Sequence, residues 1–217
     1  EDQRQEDQRQ EDGQEGYEVM RKLVGVRAWI RAADRRRRGE RGRLVGVAGY
    51  KGSGKTTAAD FLVNRHGFRR VPLAQILKDM LRVFGLTEAQ VRGADKEVAD
   101  HVLLNGKTAR WAMQTLGTEW GRVCIDDNVW VQAWWMKANR LLAAGYDVVC
   151  DDVRFLNEFE FMMPLAADMV MVKRAGCGPG EHASEQLAFT MPSVINNNAS
   201  MKALRNAVDT FAEELHR

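Results

Sequence analysis

One glycine-rich stretch, GYKGSGKTT at residues 49–57, constrains this chain more than any other feature of its sequence. It directly follows the apolar run LVGVA, which is typical of a buried strand. It fits the pattern G-x-x-x-x-G-K-[ST], with Gly49, Gly54, Lys55 and Thr56 at the fixed positions. In such a loop the backbone N–H groups point inward and form an anion nest, and the next helix adds its positive end. The sequence therefore predicts a strand, a phosphate-binding loop, a helix and a nucleoside triphosphate ligand.

The loop also predicts roles for individual side chains. Lys55 can reach the β- and γ-phosphates, and the Thr56 hydroxyl is a natural ligand for Mg²⁺, which is the expected cofactor. A glycine-rich turn that binds nothing is the alternative, and the flanking strand and helix patterns argue against it. The residues of this stretch expected to bind ATP are Gly49, Lys51, Gly52, Ser53, Gly54, Lys55, Thr56 and Thr57.

The composition is that of an ordinary globular protein. The chain has 217 residues, 45% apolar and 29% charged, which is enough to bury one sizeable α/β core. No apolar stretch reaches the roughly 20 residues of a membrane span, and the net charge of +2 indicates no particular partner. Cys124, Cys150 and Cys177 are scattered, which indicates reduced thiols rather than disulfides or a zinc site. A cytoplasmic location is expected.

The N-terminal part of the chain differs from the rest. Residues 1–20 contain the tandem repeat EDQRQ-EDQRQ and are expected to form a disordered acidic leader. Residues 21–43 form a basic segment that is expected to be flexible, with arginines at every position of 35–38. These arginines allow two interpretations, a nucleic-acid-binding arm or a solvated leader neutralised by the acidic repeat, and the second is preferred. LVGV occurs at residues 23–26 and again at residues 44–47. Only the second copy runs into the phosphate loop, so the folded domain is expected at residues 44–217.

From residue 44 onward, patterns typical of strands and of helices alternate. Buried strands that alternate with helices imply a parallel sheet covered on both faces, with ligands at the carboxyl ends of its strands. Asp126 or Asp127 is expected to be the N-cap of the helix predicted at residues 128–144. The predicted strands are residues 44–48, 68–73, 146–150, 169–172 and 193–195, and the helices after the phosphate-loop helix are residues 74–84, a short one from Thr87, 108–116, 128–144 and 201–215.

A carboxylate that organises Mg²⁺ is expected at the end of one of these strands. The stretch VVCDD supplies either Asp151 or Asp152, and Asp152 is taken as the metal ligand together with Thr56. A turn residue is the alternative for such an aspartate. Arg154 is well placed for a phosphate and Glu158 can orient it, so the expected catalytic residues are Lys55, Asp152 and Arg154.

The remaining motifs distinguish a small-molecule kinase from a switch or a motor. The chain has no N-K-x-D-type stretch for guanine, and it has no room for the coupling segments of a motor. A kinase needs a second anion site, and residues 108–122, TARWAMQTLGTEWGR, place Arg110 and Gln114 on one helix face. Arg110 and Arg122 can hold a monophosphate through bidentate hydrogen bonds, while Gln114 or Glu119 reads a base edge. Ordinary surface charges are the alternative.

In their order and spacing, the motifs resemble the bacteriophage deoxynucleoside monophosphate kinases. The resemblance implies an α/β, three-layer P-loop kinase fold with a central parallel sheet, helices on both faces and a small lid region. It also implies ATP with Mg²⁺ as donor, a deoxynucleoside monophosphate as acceptor, and the host cytoplasm as location if the chain is phage-encoded. Two departures occur, at Leu73-Ala74 and at residues 197–200. The matching blocks are GYKGSGKTTAADFL, PLAQILK, Lys96-Glu97, TARWAMQTLGTEWGR, Trp130, DVRFLNE, HASE and VINNNAS.

The resemblance extends the expected site to further residues. His182 lies in a glycine-rich region and is taken as a lid residue that binds donor phosphate, with a catalytic histidine as the alternative. Trp130 is an acceptor contact or a core residue. The added ATP-binding residues are Arg174, His182, Asn196 and Asn198, and the acceptor-binding residues are Lys78, Arg110, Gln114, Gly117, Thr118, Glu119, Arg122, Trp130, Arg154 and Glu158.

Two other functions remain open on sequence alone. A relative of dephospho-coenzyme-A kinase would share the Val-Ile-Asn-Asn segment, and a nucleic-acid-associated module would use the arginines at residues 35–38. The expected partners are ATP and a deoxynucleoside monophosphate, with neither a membrane nor a nucleic acid, and a homodimer is left open.

Overall fold

A computed structural model of the chain describes residues 42–165, 167–182 and 185–215. Its central sheet consists of parallel strands in the order β2-β5-β1-β6-β7, and a separate antiparallel pair joins β3 to β4. The strands are β1 (Leu44–Ala48), β2 (Arg69–Arg70), β3 (Ala99–Asp100), β4 (Lys107–Thr108), β5 (Val148–Cys150), β6 (Asp168–Lys173) and β7 (Ser193–Asn196).

Helices cover both faces of this sheet and form a smaller layer above its carboxyl edge. The helices are α1 (Lys55–His66), α2 (Gln75–Val83), α3 (Glu88–Val91), α4 (Ala109–Thr115), α5 (Val129–Ala143), α6 (Leu156–Met162) and α7 (Met201–Glu214). Two short 3-10 helices (Ala94–Glu97 and Met163–Leu165) and a π-helical segment (Leu116–Ile125) complete the described elements.

The central strand β1 is buried along its whole length because helices pack on both sides of it. Successive side chains of a strand point to opposite faces, so β1 contributes to two cores. Leu44 and Ala48 pack with α5 and α6, whereas Val45 and Val47 pack with α1 and α7. A third apolar cluster joins α2, α3 and α4 away from the sheet. The three-layer α/β architecture predicted from the alternating pattern is confirmed.

The element boundaries differ from the sequence predictions in ways that have physical reasons. Every predicted strand except the first has different bounds, and the strand predicted at residues 68–73 is reduced to β2, because Phe68 turns into the core and Pro72 has no N–H group. The capping box at Thr87 is confirmed. The prediction of Asp126 or Asp127 as the N-cap of α5 is wrong, because Asn128 occupies that position. The Asp126 carboxylate accepts from the Asn128 N–H instead.

The π-helical segment was not predicted. The helix predicted at residues 108–116 continues beyond α4 through Leu116–Ile125 with wider turns. Gly117 and Gly121 are buried in this segment, and the Trp130 indole Nε1–H donates to the Gly117 carbonyl at 2.7 Å. The glycines therefore let α5 approach a widened helix closely.

The predicted leader (residues 1–20), the basic segment up to residue 41, the first LVGV copy (residues 23–26) and the arginines at 35–38 lie outside the described residues. Gly42 and Arg43, which were expected to be flexible, are bound to the domain. Gly42 N–H donates to the Leu142 carbonyl at 3.0 Å, and Arg43 N–H donates to the Asp147 carboxylate at 2.6 Å. The domain therefore begins at least two residues earlier than predicted.

Two further expectations concern the whole chain. The three cysteines are free thiols, with Cys150 buried and Cys124 exposed, as predicted. In the part of the chain that the structure describes, no helix combines the length and the apolar character that crossing a membrane would require.

The contact between Gly121 and Trp130 is a test of this packing. A Cβ added at Gly121 would lie 2.3 Å from Trp130 Nε1, so Gly121→Ala must displace the indole and break its hydrogen bond. We expect a loss of about 1–3 kcal/mol in the free energy of unfolding, measured by denaturant titration. Gly178→Ala is the control, because an added Cβ there meets no atom within 4 Å. Equal stabilities of the two variants would contradict the packing described here.

Candidate active site

The phosphate loop occupies the turn between β1 and α1, as predicted. Gly49 and Gly54 have φ angles of 147° and 102°, which L-residues with side chains rarely adopt. A Cβ at Gly49 would lie 2.4 Å from the Val172 carbonyl oxygen, and a Cβ at Gly54 would lie 2.4 Å from the Asn197 side-chain nitrogen. These glycines therefore let the loop pack directly on the ends of β6 and β7.

Lys55 lies at the start of α1 and points back into the loop. Its Nζ donates to the Tyr50 carbonyl at 2.8 Å. Burial, assisted by the charge of Arg154, lowers the pKa of Lys55 to about 8, although Asp151 and Asp152 oppose the shift. The charged form of Lys55 is therefore destabilised until an anion enters the loop.

A wide cleft opens above the phosphate loop, with about 1430 Å³ of space when its mouth is included. We call it the phosphate cleft. It brings together residues from the ends of β1, β2 and β5 with cations from the helical layer above. Its lining includes Gly49, Tyr50, Lys51, Gly52, Lys55, Thr56, Arg70, Lys78, Arg92, Lys96, Arg110, Asp151, Asp152, Arg154 and Glu185.

A second, more apolar cavity of about 740 Å³, open mouth included, adjoins this cleft. We call it the inner cavity. Arg110, Asp152 and Arg154 line both spaces, so the two are continuous at these side chains. The inner cavity is lined by Leu73, Ala74, Leu77, Arg110, Met113, Gln114, Gly117, Thr118, Arg122, Trp130, Asp152, Arg154, Phe155, Glu158 and His182. Most residues predicted to bind the acceptor therefore converge on one cavity.

The two aspartates that follow β5 have different surroundings. The Asp152 carboxylate accepts from the backbone N–H groups of Leu73 and Ala74 at 2.7 and 2.9 Å. Asp151 lines the phosphate cleft but not the inner cavity, and its Oδ2 lies 3.7 Å from Arg70 Nε. Burial and the neighbouring Asp152 raise the pKa of Asp151, and Arg70 opposes this shift. Asp152 thus joins β5 to the wall of the inner cavity, while Asp151 pairs with Arg70 in the phosphate cleft.

Arg70, Arg92 and Arg110 pair with carboxylates, whereas five other cations that line the cleft have no carboxylate partner among the described residues: Lys51, Lys55, Lys78, Lys96 and Arg154. Burial lowers the pKa of Lys78, and burial together with the charges of Lys78 and Arg110 lowers the pKa of Lys96. Lys96 was quoted in a motif but was not predicted as a site residue. An excess of positive charge around a cleft favours a ligand with several negative charges.

Arg110 lines the cleft and the cavity, but two carboxylates already contact it. Its guanidinium donates to Glu97 of the 3-10 helix, and its Nη1 lies 3.7 Å from Glu185. Both carboxylates are on the outer side of the cleft. An incoming phosphate must therefore compete with Glu97 and Glu185 for this arginine.

Arg122 is held differently from what the sequence predicted. It donates to Glu158 at 2.7 Å and to the Asp127 carbonyl at 2.8 Å, and its guanidinium lies 3.9 Å from the centroid of the Phe155 ring. Glu158 also accepts from the backbone N–H groups of Arg154 and Phe155. Glu158 therefore holds the main chain at Arg154, and Arg122 is engaged as the support of Glu158.

Burial of Glu158 has an electrostatic consequence. The side chain is only 4% exposed, and burial raises its pKa to about 7 despite the hydrogen bonds from Arg154 and Phe155 and the charge of Arg122. The Trp130 side chain is 5% exposed and lines the same cavity, so it serves both in the core and in the cavity wall.

Several predicted residues lie away from both spaces. Glu119 is exposed on the outer side of the π-helical segment and lines neither the cleft nor the inner cavity. Arg174 and Asn196 are exposed at the ends of β6 and β7, and Asn198 accepts from the Ala175 N–H at 2.6 Å. None of these three residues lines the cleft or the inner cavity.

Asn197 contacts the phosphate loop, although the sequence did not single it out as a site residue. Its side-chain amide donates to the Ser53 carbonyl of the phosphate loop at 2.8 Å. It lies within the VINNNAS motif, between Asn196 and Asn198, both of which were predicted. The alternation of side chains at the end of a strand was the signal that could have distinguished it.

The predicted lid region follows β6. Gly180 N–H donates to the Glu185 carbonyl, and the segment borders both spaces, because His182 lines the inner cavity and Glu185 lines the cleft. Two residues of the HASE motif, 183 and 184, lie outside the described residues. Phe189 stacks on Phe159 at a centroid distance of 5.1 Å, so the segment returns to the core before β7.

The oxygen ligands around the phosphate cleft fit Mg²⁺. Mg²⁺ in phosphotransfer sites keeps several waters and binds one or two protein oxygens together with substrate phosphates. Thr56, Asp151 and Asp152 bring such oxygen-bearing side chains to the cleft at the start of α1 and the end of β5. Among the described residues, no group of three or more His, Cys, Asp or Glu side chains could hold a metal ion.

Comparisons with known proteins extend these observations. No family model matches the chain. A protein of Acanthamoeba polyphaga mimivirus, provisionally named deoxynucleotide monophosphate kinase, is 33% identical over 155 residues, which cover 65% of this chain and 80% of the relative.

Among solved structures, an APS kinase of Mycobacterium tuberculosis is 14% identical with a TM-score of 0.41. The match covers 81% of this chain and 95% of the APS kinase chain. A provisionally assigned kinase of Chloroflexus aurantiacus is 11% identical with a TM-score of 0.46, covering 80% and 97%. Neither likeness bears on the substrate.

A phosphate loop between the central strand of a parallel sheet and the following helix, beside a cation-lined cleft, defines a P-loop kinase. Within this class, the chain belongs to the family of deoxynucleotide monophosphate kinases, as its identity with the mimivirus relative shows.

The lowered pKa of Lys55 gives a testable pH dependence. Lys55 is charged below its pKa of about 8 and neutral above it, and only the charged form attracts phosphate. Because kcat/KM reports the pKa values of the free enzyme, kcat/KM for ATP should fall above pH 8. In Lys55→Arg, whose guanidinium stays charged, the residual activity should lose this alkaline fall, and an unchanged fall would contradict the assignment.

Lys55→Ala should lower kcat by at least about 10²–10³-fold.

Proposed function

We propose that this kinase transfers the γ-phosphate of ATP to a deoxynucleoside 5′-monophosphate and thus forms a deoxynucleoside diphosphate for DNA synthesis. The observation that carries the proposal is the continuity of two unlike spaces. The phosphate cleft is polar and rich in cations, while the inner cavity is largely apolar and contains Gln114 and Thr118. A nucleoside monophosphate has the same two parts, an anionic group and a flat base.

The triphosphate fits the phosphate cleft, with its β- and γ-phosphates in the loop beside Lys55. The acceptor base fits the inner cavity, between Phe155 and the apolar side chains Leu77 and Met113. Gln114 and Thr118 carry hydrogen-bonding groups for a base edge. This orientation brings the acceptor phosphate to Arg110 and Arg154, which line both spaces.

In this arrangement the chain contributes positioning and charge compensation, which dominate phosphoryl transfer. Mg²⁺ bound to the triphosphate would neutralise charge that develops on the phosphate oxygens, with Thr56 and an aspartate after β5 as its protein contacts. Lys55 and Arg154 approach the same cleft and stabilise the transferred group. Because an acceptor phosphate oxygen is already ionised at neutral pH, no general base is required. His182 and Glu185 cover the entrance and help to exclude water.

A coupled assay that measures ADP release tests the acceptor. We expect turnover with one or more deoxynucleoside monophosphates in a panel of deoxy- and ribonucleoside monophosphates, and none without an acceptor. Dephospho-coenzyme A should be included as an acceptor. Its phosphorylation in the absence of any turnover with monophosphates would refute the proposal.

Arg110 tests the placement of the acceptor phosphate. We expect Arg110→Ala to raise the KM for the monophosphate and to change the KM for ATP much less, with a loss of about tenfold to a hundredfold in kcat/KM. Arg110→Lys should recover only part of the loss, because it keeps the charge without the planar fork.

The matched control is Arg205→Ala, which removes an arginine on α7 that lines neither space. It should leave both KM values unchanged. If Arg110→Ala weakens ATP instead of the monophosphate, Arg110 belongs to the donor side and the acceptor phosphate must bind elsewhere.

A further inference from the structure

Arg70 connects two parts of the phosphate cleft, although it belongs to none of the sequence motifs. It is the last residue of β2 and lines the cleft. Its Nη2 donates to the Thr56 carbonyl at 3.1 Å and to the Asp60 carboxylate at 2.6 Å, both on α1. Its Nε lies 3.7 Å from Asp151 Oδ2 at the end of β5. One guanidinium thus spans from the first turn of α1 to the Asp151 carboxylate in the phosphate cleft.

The Nε–H of Arg70 is buried, and it has no hydrogen-bond partner among the described residues. A distance of 3.7 Å to Asp151 allows an ionic contact but is too long for a hydrogen bond. Buried donors are nearly always satisfied in native proteins, so this one requires an explanation. A small movement of the Asp151 carboxylate would complete the hydrogen bond.

The two aspartates after β5 differ in the freedom to make that movement. Asp152 is fixed by the two amide groups of Leu73 and Ala74 and lines the inner cavity as well as the cleft. Asp151 lines the phosphate cleft and is absent from the lining of the inner cavity. Both carboxylates border the cleft, but among the described residues only Asp151 has Arg70 as its cationic neighbour.

We propose that Arg70 is a positioning residue of the donor site, which ties Asp151 to the first turn of α1 and so holds this carboxylate beside the magnesium-bound triphosphate. The inference rests on the proposed function and goes beyond it, because it assigns the outer contact with the hydrated metal ion to Asp151. Asp152 then organises the boundary with the inner cavity through the amides of Leu73 and Ala74.

An arginine suits this position for two physical reasons. Asp151 and Asp152 place two adjacent carboxylates beside the site of a polyanion, and the permanent charge of Arg70 reduces the resulting repulsion. Its planar fork also reaches acceptors in three directions, on Thr56, Asp60 and Asp151. A lysine would keep the charge but would not reach all three.

Binding of ATP without an acceptor tests the proposal directly. The rise in thermal midpoint is measured for the whole chain with ATP and Mg²⁺, and with ATP and EDTA. In Arg70→Gln we expect the magnesium-dependent part of the rise to be largely lost, which corresponds to a dissociation constant for Mg–ATP raised about tenfold or more. The rise with ATP and EDTA should change little. An unchanged magnesium-dependent rise would overturn the proposal.

Arg65→Gln is the matched control for a lost arginine on or near α1. The Arg65 guanidinium pairs with Asp209 of α7 and lies outside the cleft, so the response to Mg–ATP should stay at the wild-type level. If Arg70→Gln does not fold, Asp60→Asn breaks the same connection from the α1 side. It should reduce the magnesium-dependent rise in the same direction, and a wild-type response would count against the proposal.

A double-mutant cycle distinguishes positioning from general structural damage. If Arg70 acts through Asp151, the double variant Arg70→Gln with Asp151→Asn should bind Mg–ATP no more weakly than Asp151→Asn alone. Independent, additive losses would overturn the proposal, as would coupling of Arg70 to Asp152 instead. Arg70→Lys should restore part of the affinity.

Kinetics supply the remaining distinction. Arg70→Gln should lower kcat/KM for Mg–ATP about tenfold or more while the KM for the monophosphate stays within about twofold. An equal rise in the KM of the acceptor would contradict a donor-side role. Because the binding measurements need no acceptor, a failure to phosphorylate any monophosphate would refute the proposed function and leave the test of Arg70 intact.

Discussion

The parallel pairing of β1 with both β5 and β6 is the constraint on which the rest of the structure depends. Leu44 pairs with Val148 on one side, and Gly46 pairs with Met169 on the other. This pairing brings the phosphate loop, the two aspartates after β5 and the lid region after β6 to one edge of the sheet. Since β1 is buried on both faces, a slip in its register would expose one of its two apolar sets. The geometry of the site is therefore fixed by the same contacts that stabilise the core.

Charge is the second organising feature of the site. Lys55, Lys78 and Lys96 face the same cleft, and burial lowers the pKa of each of them. Mutual repulsion and lost hydration make such a group costly to the free protein. A polyphosphate removes this cost when it binds. The residues that weaken the empty domain are thus the ones that favour its anionic ligand, which is common at active sites.

The arginines around the cleft divide into distinct roles that their residue type does not reveal. Arg154 has no carboxylate partner among the described residues and points into both spaces. Arg110 can exchange its carboxylate partners for a phosphate, because Glu97 and Glu185 contact it only from the outer side of the cleft. Arg122 is committed to Glu158, which in turn holds the main chain at Arg154. A bound phosphate can therefore recruit the first two more readily than the third.

The sequence by itself determined the phosphate loop, the α/β class and most of the cavity lining. These features follow from local patterns, such as the glycine spacing at Gly49 and Gly54 and the helical period that places Arg110 and Gln114 on one face. It did not determine the wide turns at Leu116–Ile125, which require Trp130 from α5 to pack against buried glycines.

Only the tertiary structure decided which of two adjacent aspartates accepts from the amides of Leu73 and Ala74, that Arg122 supports Glu158, and that Asn197 contacts the phosphate loop. Arg70 likewise has no local signal, because its partners on α1 and β5 are far away in the sequence. Neighbouring residues of like chemistry carry the same signal in a sequence. They acquire different roles because strand alternation and long-range packing give each one different neighbours in space.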